Sequence, residues 1–436
     1  DILLYWNTGD FWMQPGDKLL PQLTVHARDW FEGQPIGRAA KELWDKGYAF
    51  DYISDAQLKT AKVAAGKIQM PGGNYQVIVV PECKYIPLET FEQLVSLAKT
   101  GATVIFQKQL PVATSGLEKA PEKPEKIQNL RNQIQSVIKK APNLDFSESN
   151  LGKGKIMVGS MKDALVALPG DTIQENLASS GRLSFIRRSF DGGQVYFIAN
   201  RTETNFDEWI GFNHAVRSTV LLDPMSGKSG LPAWREGQMR LQLAAGESVI
   251  LRAFADKKVE GPAWNYRETK GQPVEVTGPW NVKFILGGPT LPADWQTAKL
   301  ASWTTFPDTN CQAFAGTAHY TTTFEADDAK LELDLGDVRQ SARVRVNGKD
   351  YGTLITPPFR VVVDNLKPAG NTLEVEVTSV AANRIRDLDR RGVPWKTFRD
   401  INIVNLDYKP FDASHWPLTD CGLLGPVTLY PVTASP

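Results

Sequence analysis

The run Asn383-Arg384-Ile385-Arg386-Asp387-Leu388-Asp389-Arg390-Arg391-Gly392, followed by Trp395, sets opposite charges close to an aromatic ring. Guanidinium and carboxylate groups hydrogen-bond hydroxyls, and an indole lies against the apolar face of a pyranose. Arg384, Asp387, Asp389 and Trp395 are therefore the candidate substrate-binding residues. The same charges also suit a simpler role, an ion-pair network that pins a long loop onto a neighbouring domain. That simpler role is the preferred one.

Other chemistries lack their parts. A dinucleotide cradle needs G-x-G-x-x-G after the first strand, and the turn after Tyr5 has only Gly9. There is no Walker A motif. A glutaminase needs a cysteine on a tight elbow with a histidine to activate it. Cys83 follows the strand ending at Val80, but Pro81-Glu82-Cys83-Lys84 lacks the small neighbours an elbow requires. None of the four histidines (His26, His214, His319, His415) is followed two residues on by Glu. No G-x-S-x-G or H-E-x-x-H occurs, and the isolated histidines read as structural. Glycoside cleavage needs two carboxylates across the scissile bond, yet acids on the strands alternate outward as solvated faces do. No catalytic residue and no metal ligand is assigned. The tryptophans crowd two places, Trp6, Trp12, Trp30 and Trp44, then Trp264, Trp280, Trp295 and Trp303. They serve as packing anchors before they serve as sugar platforms.

The elements that would position these groups fall into three parts. Over 1–165 apolar runs (Ile2–Tyr5, Tyr48–Ile53, Gln76–Pro81, Ala102–Phe106) alternate with helical spacings. One such helix runs from Gly37 to Lys46 and another from Leu88 to Leu97. A polar helix is expected at 124–140, after an exposed loop from Leu117. Continuous apolar strands between amphipathic helices predict a doubly wound α/β domain. Over 166–258 short strands follow, with Asp191-Gly192-Gly193 as a hairpin turn, and predict a small β-sandwich. Over 259–436 strict alternation (Leu331–Leu335, Arg343–Val346, Leu373–Val377) and the type I′ dipeptide Asn347-Gly348 predict a jelly-roll sandwich.

The chain has 436 residues, long enough for about three domains, and 49 basic against 49 acidic residues. That balance gives no reason to expect nucleic acid or an anionic membrane as partner. No apolar run is long enough to cross a membrane. The opening Asp1–Trp6 reads as a core strand that begins at once, as in a chain cut from something longer. Cys311 and Cys421 can pair if their strands are neighbours; buried free thiols are the preferred reading.

The third part also resembles known proteins. Gly278-Pro279-Trp280-Asn281-Val282-Lys283-Phe284, Leu300–Thr304, Val346-Asn347-Gly348 and Gly370–Val375 resemble the galactose-binding-like sandwiches of large bacterial glycoside hydrolases. Asp387–Gly392, Phe411-Asp412-Ala413-Ser414 and Gly422–Val427 are similar to glycoside hydrolase family 106, the α-L-rhamnosidases. Trp30-Phe31, Pro35-Ile36-Gly37 and Phe50–Asp55 resemble the region after that family's barrel, an amidotransferase-like and flavodoxin-like α/β domain. The resemblance implies a C-terminal accessory portion of an enzyme that removes α-L-rhamnose from glycans or glycosides. It further implies an upstream catalytic barrel as partner, calcium as a possible cofactor, and a periplasmic or extracellular location in a bacterium. A stand-alone carbohydrate-binding protein and an enzyme active within these residues are the alternatives.

Overall fold

The computed structural model describes residues 1–13, 29–116, 122–168, 174–178, 181–267, 272–397 and 409–431. Two compact units emerge. The first holds Asp1–Tyr196, Ile210–Ser218 and Arg252–Lys258, and the second holds Phe197–Trp209, Thr219–Leu251 and Val259–Pro436.

The first unit is built on β1 (Ile2–Tyr5), β2 (Phe50–Ile53), β3 (Val77–Val80), β4 (Thr103–Gln107), β5 (Phe146–Leu151) and β6 (Gly154–Gly159). The sheet order is β2-β1-β3-β4-β6-β5, with Lys139–Lys140 on the far edge. All pairs from β2 to β6 are parallel, and β5 closes antiparallel on β6. Side chains of β1 alternate between two cores, Leu3 and Tyr5 in one, Ile2 and Leu4 in the other. Helices α3 (Pro35–Asp45) and α7 (Met161–Val166) cover one face. Helices α5 (Leu88–Thr100) and α6 (Glu122–Gln135) cover the other. Burial on both faces explains why these strands are continuously apolar.

Three short elements precede the rest of this sheet: α1 (Thr8–Trp12), α2 (Asp29–Glu32) and, after β2, α4 (Asp55–Leu58). The helix expected at Gly37 starts two residues earlier, at Pro35, whose missing N–H falls where no helical partner exists. The strand expected from Tyr48 starts at Phe50, Tyr48 making a single bridge to Gln174. The polar helix expected to reach residue 140 stops at Gln135. It buries only Ile127 and Ile134, and Lys139–Lys140 pair with Glu148 and Ser147 instead. Residues 117–121 of the expected loop lie outside the described residues.

Residues 183–254 contribute strands to a five-stranded and a three-stranded sheet. Leu183–Phe190 and Gly193–Asn200 flank the Asp191-Gly192 turn, and the strand expected at 220–224 runs over Ser218–Leu222.

The second unit contains two antiparallel sheets over one core. One sheet includes β7 (Trp280–Gly288), β8 (Ala315–Phe324), β10 (Ser341–Val346), β11 (Lys349–Leu354) and β13 (Asn371–Thr378). The other includes β9 (Lys330–Asp334), β12 (Arg360–Asp364) and β15 (Thr428–Pro431). Trp280, Phe284, Tyr320, Val344, Val375 and Leu333 meet between them. Asn347 and Gly348 both take positive φ (51° and 77°) between β10 and β11, the geometry of a type I′ turn. After β13 the chain forms α8 (Ala382–Arg390) and later β14 (Gly422–Gly425).

Candidate functional site

The four predicted residues come together on α8 and the turn after it, but mostly with one another. Asp387 accepts from Arg384 Nη1 at 3.0 Å and from Arg391 Nη2 at 2.7 Å. Asp389 Oδ1 accepts from Trp395 Nε1 at 2.7 Å and lies 3.1 Å from Lys396 Nζ. Its Oδ2 accepts from the Ala413 backbone N–H at 2.7 Å. The Asp389 side chain is only 7% exposed. Burial by itself would raise its carboxyl, but the donors from Ala413, Trp395 and Lys396 outweigh burial and hold it below the ordinary carboxylate range.

Several partners went unrecognised in the sequence. Lys396 Nζ donates to Phe411 O at 2.6 Å and sits over the rings of Trp395 and Phe411. Phe411 meets Trp395 and Trp416 edge to face. Arg386 Nε donates to Trp416 O at 2.6 Å. Asn383, 1% exposed, exchanges hydrogen bonds with the Thr419 backbone at 2.7 and 2.8 Å. The segment 411–421 is thus tied to α8 by polar groups, while Trp416 keeps 40% of its surface exposed. The network reading accounts for Asp387 and Asp389. The rings of Trp395, Phe411 and Trp416 are the part of the cluster with stacking surface.

The first unit holds a cleft of about 550 Å³, open solvent included. The segments after β1 and β3 form its floor, with Trp6, Asn7 and, from α1, Asp10 on one side and Pro81, Glu82 and Cys83 on the other. Asp10 is buried, and its Oδ1 accepts from the backbone N–H of Lys84 and Tyr85, both at 2.7 Å. Asn7 Nδ2 donates to Tyr85 O at 2.6 Å. Trp30 from α2 and Gln34, Pro35 and Ile36 at the start of α3 complete the wall. The two helices approach so closely that a Cβ at Gly37 would lie 2.1 Å from Phe31 O.

Cys83 is 4% exposed, and burial, with the Asp10 carboxylate nearby, pushes its thiol up to about 12. It is no nucleophile at neutral pH. Cys311 and Cys421 are likewise buried free thiols, raised by burial to about 12 and about 11.

A buried polar knot lies elsewhere in the first unit. Glu175 Oε1 accepts from Arg187 Nη1 at 2.7 Å and from Tyr196 OH at 2.8 Å, with His214 Nδ1 at 3.8 Å. Arg187 also pairs with Asp1. Among the described residues no group of three or more His, Cys, Asp or Glu is placed to hold a metal. No described helix is long and apolar enough to cross a membrane.

The comparisons with known proteins agree with this architecture. A family model described as α-L-rhamnosidase, of glycoside hydrolase family 106, matches residues 33–234. The solved structure of a rhamnosidase from Novosphingobium sp. PP1Y is similar with a TM-score of 0.63 and 26% identity, over 88% of this chain and 36% of that one. A curated protein from Formosa agariphila, named "Putative beta-glucuronidase", is 35% identical over 188 residues, covering 36% of this chain and 16% of its own length. The chain thus spans little more than a third of the rhamnosidase and about a sixth of the curated relative.

Proposed function

We propose, for a chain that over residues 33–234 belongs to the α-L-rhamnosidase family 106 of glycoside hydrolases, that it is the accessory portion of such an enzyme. In this reading it braces a catalytic barrel of the same protein, and the substrate is a rhamnose-containing glycan or glycoside in the periplasm or outside the cell. The observation that carries it is the match of 88% of the chain to 36% of a rhamnosidase. The two carboxylates of α8 support it, since Asp387 and Asp389 are both held by donors within the cluster. The α/β unit is then flavodoxin-like and amidotransferase-like in descent, and the second sandwich a galactose-binding-like jelly roll.

Arg384 and Trp395 are the proposed contacts with glycan, with Asp387 and Asp389 holding them in position. Hydrolysis of a chromogenic α-L-rhamnoside by the chain, with calcium added, tests the reading. No release is expected. Release that a single Asp or Glu substitution within 1–436 abolishes would place the active site in these residues and overturn it. Separately, Arg384→Ala and Trp395→Ala are expected to weaken glycan binding by the full enzyme; unchanged affinity in a folded variant removes the contact assignment.

A further inference from the structure

We propose that the cleft at the carboxyl ends of β1 and β3 binds a single neutral, polyhydroxylated ring. This goes beyond the accessory role above, because the ligand class follows from the lining alone.

Position is the first argument. The chain leaves β1 to reach β2 on one side and leaves β3 to reach β4 on the other, so the sheet order reverses between β1 and β3. In an open parallel sheet the crevice outside the carboxyl ends at such a reversal is where ligands bind. The cleft lies there, floored by the two segments that follow β1 and β3.

Chemistry is the second. Trp6, Phe11 and Trp30 supply aromatic walls, and each ring is held by others: Trp6 by Phe31 and Tyr52, Trp30 by Phe11 and Phe31. Rings fixed in this way offer stacking surface at little entropic cost. The polar lining is made of the carboxylates of Glu82 and Asp10, the amides of Asn7 and Gln34 and the hydroxyl of Thr8. Amides and hydroxyls both donate and accept, as the hydroxyls of a polyhydroxylated ring do. Its charge is set by compensation. Glu82 is neutralised by Lys108, with Nζ 2.6 Å from Oε2. Asp10 is satisfied by two backbone N–H groups. A cationic ligand therefore gains little, and no Lys or Arg among the described residues lines the cleft to hold an anion. A space of about 550 Å³, open solvent included, has room for such a ring.

Framework is the third. Asp10 ties the segment after β1 to the segment after β3, Asn7 adds a second tie to Tyr85, and a Cβ at Gly9 would lie 2.6 Å from Ser115 Oγ. The walls are set before any ligand arrives.

The test is calorimetric titration of the 436-residue chain with L-rhamnose, D-galactose and D-glucose, and with tetramethylammonium as the cationic competitor. One or more of the sugars is expected to bind, with affinity reduced at least about tenfold by Trp30→Ala and by Glu82→Gln. Glu82→Gln keeps size and shape, so it decides the matter if Trp30→Ala fails to fold. No sugar binding into the high-millimolar range overturns the proposal. So does sugar binding that both variants leave unchanged, or that falls with Trp395→Ala alone, and so does tetramethylammonium binding in place of sugar. Rhamnoside hydrolysis by the chain bears on the accessory role and leaves these outcomes unaffected.

Discussion

The indole of Trp395 donates to Asp389 Oδ1 at 2.7 Å, while Asp389 Oδ2 holds the backbone of Ala413, twenty-four residues away in the chain. One buried carboxylate thus fixes both the ring and the segment it packs against. Asp389→Asn keeps the shape but loses the charge, and charge-assisted hydrogen bonds of this kind contribute about 1.5–3 kcal/mol. A drop of that order in unfolding free energy at pH 7 is expected by denaturant titration. Because Asp389's folded pKa is depressed, the stabilisation is present above the ordinary value of about 3.9 and is lost as pH falls from there through the folded value. The gap in stability between the parent and the variant should therefore narrow as pH falls below about 3.9.

Arg187 is buried between Glu175 and Asp1. Arg187→Met leaves Glu175 buried without its cation, at a cost of about 3–5 kcal/mol. Glu175→Leu combined with Arg187→Met should recover part of that loss, and equal instability of single and double variants would contradict the pairing.

His214 gives this region a pH dependence. Burial is the main cause that lowers its pKa, Glu175 opposes it, and Arg187 adds to the lowering. The unfolded chain takes up the proton near pH 6.5 and the folded chain only below that. Stability is therefore complete above about 6.5 and declines as pH falls from there to the folded value. His214→Gln should flatten the stability profile between pH 7 and 5, read as urea midpoints.

All three thiols are buried and raised well above neutrality. The native protein is expected to give no reaction with a thiol reagent at pH 8 over a time in which the denatured chain titrates three. Fast labelling of native Cys83 would reopen its dismissal as a nucleophile.

Gly37→Ala places a methyl against Phe31 O. Overpacking of this kind costs about 1–3 kcal/mol. A lower denaturant midpoint with an unchanged slope is the expected result, together with weaker ligand capture at the cleft that Trp30 lines.

Much of the framework was legible. The apolar runs at Ile2–Tyr5, Val77–Val80 and Ala102–Phe106 gave the parallel strands because burial on both faces leaves no room for alternation. Asn347-Gly348 gave its hairpin because both residues tolerate positive φ. The α8 residues were legible as a group because helical spacing and a near turn bring them together. Their partners were not. Phe411, Ala413 and Trp416 arrive through a long connection, and no local pattern records such closure. The cleft was harder still, since Trp30 and Glu82 share no motif and meet only through the order of strands in the sheet.

Asp10 decides how freely that cleft can change over time. Its carboxylate binds backbone N–H groups and not side chains, so the spacing of the floor is indifferent to what Lys84 and Tyr85 happen to be. Trp30, Gln34 and Glu82 project from a frame that does not depend on them. Descendants of this fold can therefore exchange one ligand for another by single substitutions in the wall, whereas loss of Asp10 would erase the pocket and its whole range of prospective specificities at once.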